Sequence, residues 1–108
     1  MFSTGFPYDV KDYFQKCVDD IAGILKMGLP LRRLGSAALD LSYVAAGKID
    51  GFWERTLQPW DIAAGILLVH EAGGKVTRCD GTQHPLLEEC SLLATNGHLH
   101  SVMVEHLS

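Results

Sequence analysis

Residues 59–74 read PWDIAAGILLVHEAGG, and this stretch decides the fold of the chain. Pro59 favours a helix start because its φ is already fixed, and the Gly73-Gly74 pair favours a left-handed stop. Between these two signals, apolar residues recur at helical spacing, at Ile62, Ile66, Val69 and Ala72. The sequence therefore predicts one helix over this stretch, with an apolar face that packs into a core.

Asp61 lies in the first turn of this predicted helix and is followed by the small residues Ala63, Ala64 and Gly65. Their lack of bulk lets another backbone or a ligand come close. A carboxylate here interacts favourably with the positive end of the helix dipole, stays ionised and can offer its oxygens to a hard cation. An isolated Asp at a helix start is more often an ordinary cap, so the neighbouring motifs must decide between the two roles.

Four other segments accompany this helix along the chain. They are residues 4–9 (TGFPYD), 31–41 (LRRLGSAALDL), 43–47 (YVAAG) and 50–54 (DGFWE). Asp61 follows the last residue of the fourth segment by seven positions. This order and spacing resembles the C-terminal part of the inositol monophosphatase family, the magnesium-dependent, lithium-sensitive phosphomonoesterases. The resemblance covers nearly the whole chain, from about residue 4 to its end.

The resemblance implies a role for five residues. Asp61 matches a position that ligates a catalytic Mg²⁺ and contacts the substrate, and Glu54 matches a residue that hydrogen-bonds substrate hydroxyls. Gly35, Ser36 and Ala37 match a segment that lines the substrate pocket through its backbone groups. Read alone, Ser36 is as well explained as a helix N-cap, and Glu54 as a solvated charge at the end of a strand. The implied chemistry is metal-assisted hydrolysis of a phosphate ester.

The family carries most of its metal ligands in an N-terminal portion, on an upstream Glu and on an Asp-Pro-x-Asp-Gly-Thr/Ser motif. Neither is present in this sequence. Asp50-Gly51 is followed by Phe52 where a hydroxyl residue is needed, and residues 80–82 (DGT) lack the preceding Asp-Pro and are better read as a turn. Since a single carboxylate holds Mg²⁺ weakly, we expect the chain alone to show little or no phosphatase activity.

The composition fits one α/β domain over residues 1–108. The chain is 47% hydrophobic, enough for a core, and its formal net charge of −4 argues against nucleic acid as a partner. The longest apolar stretch, residues 62–69, is too short to cross a bilayer. Three cysteines without close pairs favour reduced thiols and a cytoplasmic location. We expect the five histidines to lie on the surface or at helix ends.

Strand and helix patterns alternate along the chain. Strands are predicted near residues 2–5, 31–34, 49–55, 75–79 and 91–95, and helices near 8–27, 36–46, 59–72 and after 97. We therefore expect an α/β fold, a layered sandwich of a mixed sheet with helices, which the resemblance equates with the C-terminal half of the sugar-phosphatase fold. The helix at 36–46 is apolar nearly all round, which predicts burial on more than one side, with Asp40 as a buried or interface hydrogen-bonding residue rather than a ligand. Trp53 and Trp60 are expected to be packing residues.

Three functional interpretations remain open. The chain is the substrate-binding half of a phosphatase for inositol monophosphate or a related sugar or polyol phosphate, or a non-catalytic interaction or dimerisation module that kept the fold. A generic nucleotide-binding domain is disfavoured because no glycine-rich phosphate loop follows the first strand. The expected partners are a small phosphate monoester and either a second copy of the chain or a separate N-terminal half. Neither nucleic acid nor a membrane is expected.

Overall fold

A five-stranded mixed sheet forms the centre of the molecule, and the computed structural model describes all residues from 1 to 108. The strands are β1 (Phe2–Thr4), β2 (Leu31–Arg32), β3 (Gly51–Leu57), β4 (Lys75–Thr77) and β5 (Cys90–Thr95). They lie in the order β2-β1-β3-β5-β4. Strand β1 runs parallel to β2 and β3, while β5 runs antiparallel to β3 and β4. The predicted mixed sheet is confirmed.

Four helices cover the two faces of this sheet. They are α1 (Phe14–Lys26), α2 (Ala37–Ala45), α3 (Pro59–Glu71) and α4 (His100–Leu107). Helices α2 and α3 pack on one face, and α1 and α4 pack on the other, so two separate apolar cores form. Successive residues of β3 serve opposite cores: Phe52 points to α2 and α3, whereas Trp53 points to α1 and α4. The predicted layered α/β sandwich is therefore correct.

The helix boundaries follow the local signals in the sequence. Ser36 caps α2, accepting a hydrogen bond from the Leu39 amide at 3.3 Å, and Pro59 occupies the first turn of α3. The predicted helix at 8–27 is instead split into a short 3₁₀ turn (Val10–Asp12) and α1. The break falls at Tyr13, whose φ of −114° lies outside the helical range.

Helices α2 and α3 pack closely against each other because α3 has a glycine, Gly65, where it faces α2. A Cβ atom at Gly65 would lie 2.5 Å from Cδ1 of Leu41 on α2, so any side chain there would push the helices apart. The close approach expected at this small residue is therefore made by the neighbouring helix. Helix α2 is covered by the sheet and by α3, but its outer side, including Leu39, is exposed.

Two expectations about single residues were wrong. Trp53 is buried as predicted, but Trp60, in the first turn of α3, is 78% exposed. Among the histidines, His84 is buried in a loop, against expectation, whereas His100 begins α4, as expected of a helix-end residue, but is also buried. The His100 ring lies between two threonine hydroxyls, 2.8 Å from Oγ1 of Thr77 and 2.9 Å from Oγ1 of Thr95. Both ring nitrogens thus have a partner, which makes burial possible.

The three cysteines are all free thiols, as expected. No helix in the structure combines the length and the apolar character that crossing a lipid bilayer requires.

Candidate functional site

A cleft of about 440 Å³ opens where the N-termini of α2 and α3 meet the sheet. It brings together all five residues singled out by the sequence: Gly35, Ser36, Ala37, Glu54 and Asp61. Helix starts beside the carboxyl ends of parallel strands are where α/β sheets usually bind ligands. Four further lining residues, described below, are Gly5, Phe6, Arg33 and Asp40.

Asp61 is the third residue of α3, two positions after Pro59, and it lines the cleft. The N-cap position belongs to Gln58, and no side chain caps this helix start. The three ion pairs of the chain also involve other residues. The Asp61 carboxylate is therefore neither an ordinary cap nor a salt-bridge partner, and its oxygens are available to a ligand.

Glu54 lies in the middle of β3, and its side chain points to the same face of the sheet as Phe52. The prediction of a solvated charge at a strand end is wrong, since Glu54 is only 9% exposed. Its carboxylate packs against the backbone of Gly5, where any side chain would collide with it. Position 5 must therefore remain glycine for Glu54 to reach the cleft in this conformation.

The Glu54 carboxyl is a weaker acid than an ordinary glutamate. Burial is the main cause that raises its pKa to about 7, and the negative charges of Asp40 and Asp61 act in the same direction. The positive charge of Arg33 opposes this shift. Near neutral pH the group can thus accept or donate a hydrogen bond, depending on its protonation state.

Asp40 also lines the cleft, although no sequence motif assigned it to the site. It lies on α2, is 1% exposed, and burial raises its pKa to about 6. The Ser3 hydroxyl is near enough to lower that pKa somewhat, yet neither Ser3 Oγ nor Asp40 Oδ1 has a hydrogen-bond partner of good geometry. The expected burial of Asp40 is confirmed, but the hydrogen bond expected of it is not seen at Oδ1, which has no partner. An acidic residue one turn after Ser36 was the available signal.

The start of α2 offers backbone donors to the cleft. Gly35 has a φ of +88°, a left-handed conformation that favours glycine, and it turns the chain into the helix. The Ser36 side chain satisfies the Leu39 amide, so the N-cap role considered for Ser36 is real. The amides of Ala37 and Ala38 have no partner within the helix and remain free to meet an oxygen atom of a ligand.

Arg33 is the one cationic residue that lines the cleft. Its guanidinium carbon lies 5.3 Å from the centre of the Phe6 ring, within the range of a cation–π interaction. No sequence motif assigned Arg33 to the site, because its place in the cleft depends on packing between elements. The cleft therefore carries three carboxylates and one guanidinium.

These residues fit a magnesium ion in chemical type but not in number. Carboxylate oxygens are the ligands that Mg²⁺ prefers, and those of Asp61 are not engaged elsewhere. No three His, Cys, Asp or Glu side chains come close enough together to hold a metal ion. Asp61 can thus supply one protein ligand to a metal.

Solved structures with the same arrangement of elements define the class of this domain. An inositol monophosphatase from Anabaena (Nostoc) sp. PCC 7120 superposes with a TM-score of 0.81 and 42% identity, over 98% of this chain and 42% of that one. The extragenic suppressor protein suhB from Bartonella henselae gives a TM-score of 0.86 and 39% identity, over 99% and 40% of the two chains. The fold is thus the α/β fold of inositol monophosphatases.

Sequence comparisons agree with this class. The family model described as inositol monophosphatase family matches residues 3–108, so the chain belongs to the inositol monophosphatase family. Inositol-1-monophosphatase from Caulobacter vibrioides is 39% identical over 107 residues, 99% of this chain and 42% of that protein. The Nus factor SuhB of Escherichia coli K12 is 47% identical over 87 residues, 81% and 33% of the two chains. The chain therefore spans about two fifths or less of these relatives.

Proposed function

We propose that this chain is the substrate-binding part of a magnesium-dependent phosphomonoesterase that hydrolyses inositol monophosphate or a related sugar or polyol phosphate. One observation carries the proposal: five residues from three separate places in the chain (35–37, 54 and 61), all assigned to the site by the family resemblance, line a single cleft. Family membership supports the reaction class, because the family acts on phosphate monoesters.

Each cleft residue has a defined task in this proposal. Asp61 holds a Mg²⁺ ion through its free carboxylate. The ion, when bound, neutralises phosphate oxygens, lowers the pKa of a coordinated water and stabilises the departing alkoxide. The Ala37 and Ala38 amides donate to an oxygen of the substrate at the positive end of α2.

Glu54 recognises the polyol part of the substrate. Above pH 7 its carboxylate is ionised and accepts hydrogen bonds from two neighbouring hydroxyls, a pattern that a cyclic polyol offers. Because the group is almost fully buried, an unsatisfied Glu54 is unfavourable, and a substrate that lacks the hydroxyls loses affinity. This gives selectivity for polyol esters over simple alkyl phosphates.

A single protein ligand leaves the metal site unfinished. Two or more Mg²⁺ ions acting together need several carboxylates, and no three acidic side chains here come close enough together to hold a metal ion. The isolated chain is therefore expected to bind substrate weakly and to turn it over very slowly. The free thiols fit a cytoplasmic location, which we include in the proposal.

A non-catalytic interaction or dimerisation module is the second candidate. The observation that favours it is the exposure of large apolar side chains on the outer side of α2 and α3, including Leu39, Leu67 and Leu68. Such a module would use the same fold but would not need the Asp61 carboxylate. The two candidates therefore differ in what a substitution of Asp61 does.

The test is a chimera in which this chain replaces the matching segment of the Caulobacter vibrioides relative. We expect Mg²⁺-dependent phosphate release from inositol 1-phosphate, and we expect Asp61→Asn to lower kcat/KM at least about 100-fold, beyond the usual effect of outer-shell changes. Asp19→Asn, on the exposed side of α1, is the matched control and should leave the rate unchanged. A chimera that is active and indifferent to Asp61→Asn would rule out the proposed role.

A further inference from the structure

A cysteine–histidine pair lies at the start of β5, outside the cleft. His84 Nε2 is 3.3 Å from Cys90 Sγ, and His84 Nδ1 accepts a hydrogen bond from the Leu86 amide at 3.0 Å. Neither His84 nor Cys90 lines the cleft. The thiols of Cys17 and Cys79 are buried, whereas Cys90 is partly exposed. Cys90 is therefore the thiol that a reagent in solution reaches.

The histidine of this pair is a hydrogen-bond donor to the sulfur. His84 is 5% exposed, and burial, chiefly, lowers its pKa, with the charge of Arg78 acting in the same direction, so the ring is neutral near pH 7. A neutral imidazole has one N–H, and because Nδ1 accepts from Leu86, the proton is on Nε2. The Nε2–H group therefore stabilises the negative charge that develops on Cys90 Sγ when the thiol reacts. The same proton blocks a metal ion at this nitrogen.

Arg78 places a positive charge beside the same sulfur. Burial is the main cause that raises the pKa of the Cys90 thiol. The charge of Arg78 opposes this rise, the charge of Glu88 adds to it, and hydrogen bonding by Arg78 opposes it further. The thiol is thus mostly protonated near pH 7, and its reaction with a disulfide becomes faster as the pH increases.

The guanidinium of Arg78 is not saturated by acceptors of the protein. Its Nε is buried without a hydrogen-bond partner, and its ion pair with Glu88 is loose, with 3.8 Å between Nη2 and Oε2. Guanidinium groups bind carboxylates well because their planar donors match the two carboxylate oxygens. A carboxylate on the molecule that reacts with Cys90 therefore finds a partner in Arg78.

A cavity of about 440 Å³ offers the space for such a molecule. It is lined by nine residues, which include Cys90, Arg78, Lys16 and Arg55. Its volume lies in the range of small-molecule sites. None of the nine residues lines the cleft, so the cavity is a separate site and what binds there does not depend on the proposed function.

The negative charges of this cavity are already engaged by neighbouring groups. Asp80 accepts hydrogen bonds from the amide and the hydroxyl of Thr82, and Glu89 accepts one from Gln58. Lys16, in contrast, has no ion pair. The lining therefore favours an anionic molecule over a cationic one.

We infer that Cys90 is a site of reversible mixed-disulfide formation with a small anionic thiol of the glutathione class, held in this cavity. The Cys90 thiolate attacks one sulfur of glutathione disulfide. A Cys90–glutathione S–S bond forms while the S–S bond of the reagent breaks, and the released glutathione thiolate takes up the proton that Cys90 lost. One disulfide is consumed and one is formed, so no further oxidant is needed, and excess reduced glutathione reverses the reaction.

The test compares three disulfides on the purified 108-residue chain: glutathione disulfide, which is anionic, hydroxyethyl disulfide, which is neutral, and cystamine, which is cationic. Mass spectrometry of the intact chain and of its peptides gives the rate and the position of each adduct. Each rate is divided by the rate of mercaptoethanol, a neutral thiol, with the same reagent. Circular dichroism checks that each variant is folded.

We expect one glutathione adduct, on Cys90 alone, that dithiothreitol removes. The normalised rate should be at least about fivefold higher with glutathione disulfide than with hydroxyethyl disulfide, and lowest with cystamine. Arg78→Gln should remove this preference for the anionic reagent. Arg32→Gln is the matched control, since Arg32 is exposed and donates only to the adjacent Leu31 carbonyl, and it should keep the preference.

The role of the histidine is tested with the neutral reagent. His84→Phe removes the donor and should slow the reaction of Cys90 with hydroxyethyl disulfide about tenfold, the effect of one hydrogen bond. His84→Gln keeps an N–H donor and should restore most of the rate. An unchanged rate in His84→Phe would contradict the donor role.

Three other results would overturn the inference. They are adducts on Cys17 or Cys79 at a rate comparable to that of Cys90, equal normalised rates with all three disulfides, or equal effects of Arg78→Gln and Arg32→Gln. Equal normalised rates would mean that Cys90 is an accessible thiol without a binding site beside it.

Discussion

Arg55 forms a bidentate ion pair with Asp20: Nε donates to Oδ2 and Nη2 donates to Oδ1, each at 2.6 Å. The pair joins β3 to α1 on the sheet face opposite the cleft, and Nη2 also donates to the Leu107 carbonyl at 2.8 Å, which adds α4. Both side chains are largely buried. One guanidinium therefore ties a strand to two helices.

Breaking this pair should be strongly destabilising, because a buried guanidinium left without its carboxylate is poorly solvated. We expect Asp20→Asn to lower the free energy of unfolding by about 3 kcal/mol, measured by urea denaturation at pH 7. Glu88→Gln is the control, since it breaks only the exposed Arg78–Glu88 pair and should change stability by less than about 1 kcal/mol. Equal effects of the two substitutions would contradict a structural role for the buried pair.

The raised pKa of Glu54 predicts that the free energy of unfolding falls as the pH rises. In the unfolded chain this carboxyl ionises near its ordinary pKa of 4.5, whereas burial, chiefly, raises the folded value to about 7. Ionisation therefore favours the unfolded state as the pH passes from 4.5 to 7. In metal-free buffer, Glu54→Gln should be more stable than wild type at pH 8, by about 2 kcal/mol, and equal to it at pH 4.

Urea denaturation across that pH range measures the effect, and Glu105→Gln, an exposed glutamate on α4, serves as the control. The same Glu54→Gln variant in the chimera should bind polyol esters less well, because a neutral amide replaces the charged acceptor. A variant that is no more stable than wild type at pH 8 would show that Glu54 is not buried as an uncompensated charge.

The lowered pKa of His100 predicts that the free energy of unfolding falls as the pH decreases. Burial is the main cause that lowers its pKa to about 4, with a smaller effect from the charge of Lys75. Its stabilising contribution is fully present above pH 6.5 and is lost as the pH falls through 4, because only the unfolded chain accepts the proton readily. We expect wild type to lose about 2 kcal/mol more than His100→Gln between pH 7 and pH 4.

Glutamine keeps a donor and an acceptor for the Thr77 and Thr95 hydroxyls but does not titrate. Urea denaturation of both proteins at the two pH values gives the difference directly. His98→Gln, at an exposed histidine, is the control and should follow wild type. Identical acid sensitivity of wild type and His100→Gln would contradict a neutral His100 side chain in the folded protein at pH 4 to 7.

The features predicted best from the sequence are those that depend on residues close together in the chain. Helix α3 was visible from Pro59, its apolar spacing and the Gly73-Gly74 stop, and all these signals act within a few residues of one another. The alternation of strands and helices gave the α/β class for the same reason. The five cleft residues were predicted from the resemblance of their motifs to a known family. That resemblance indicates which residues lie together but gives no physical reason why they do.

Properties that depend on contacts between distant segments could not be predicted from the sequence. The place of the Glu54 carboxylate depends on the space left by Gly5, a glycine 49 residues earlier, and the burial of His100 depends on hydroxyls from two strands. Trp60 is exposed, which apolar periodicity alone did not settle. The membership of Asp40 and Arg33 in the cleft likewise follows from packing between elements.

The position of β1 between β2 and β3 has a consequence for how the chain reaches its folded state. This three-residue strand has a neighbour along each edge, and its pairing with β3 joins segments about 49 residues apart, as in the Thr4–Trp53 hydrogen bond. Such a large loop must close before Glu54, Gly5 and the two helix starts can face one another, and loop closure of this kind slows folding. Until β1 inserts, β2 and β3 present open edges to other chains. Any delay in the insertion of β1 therefore leaves these edges open and favours aggregation.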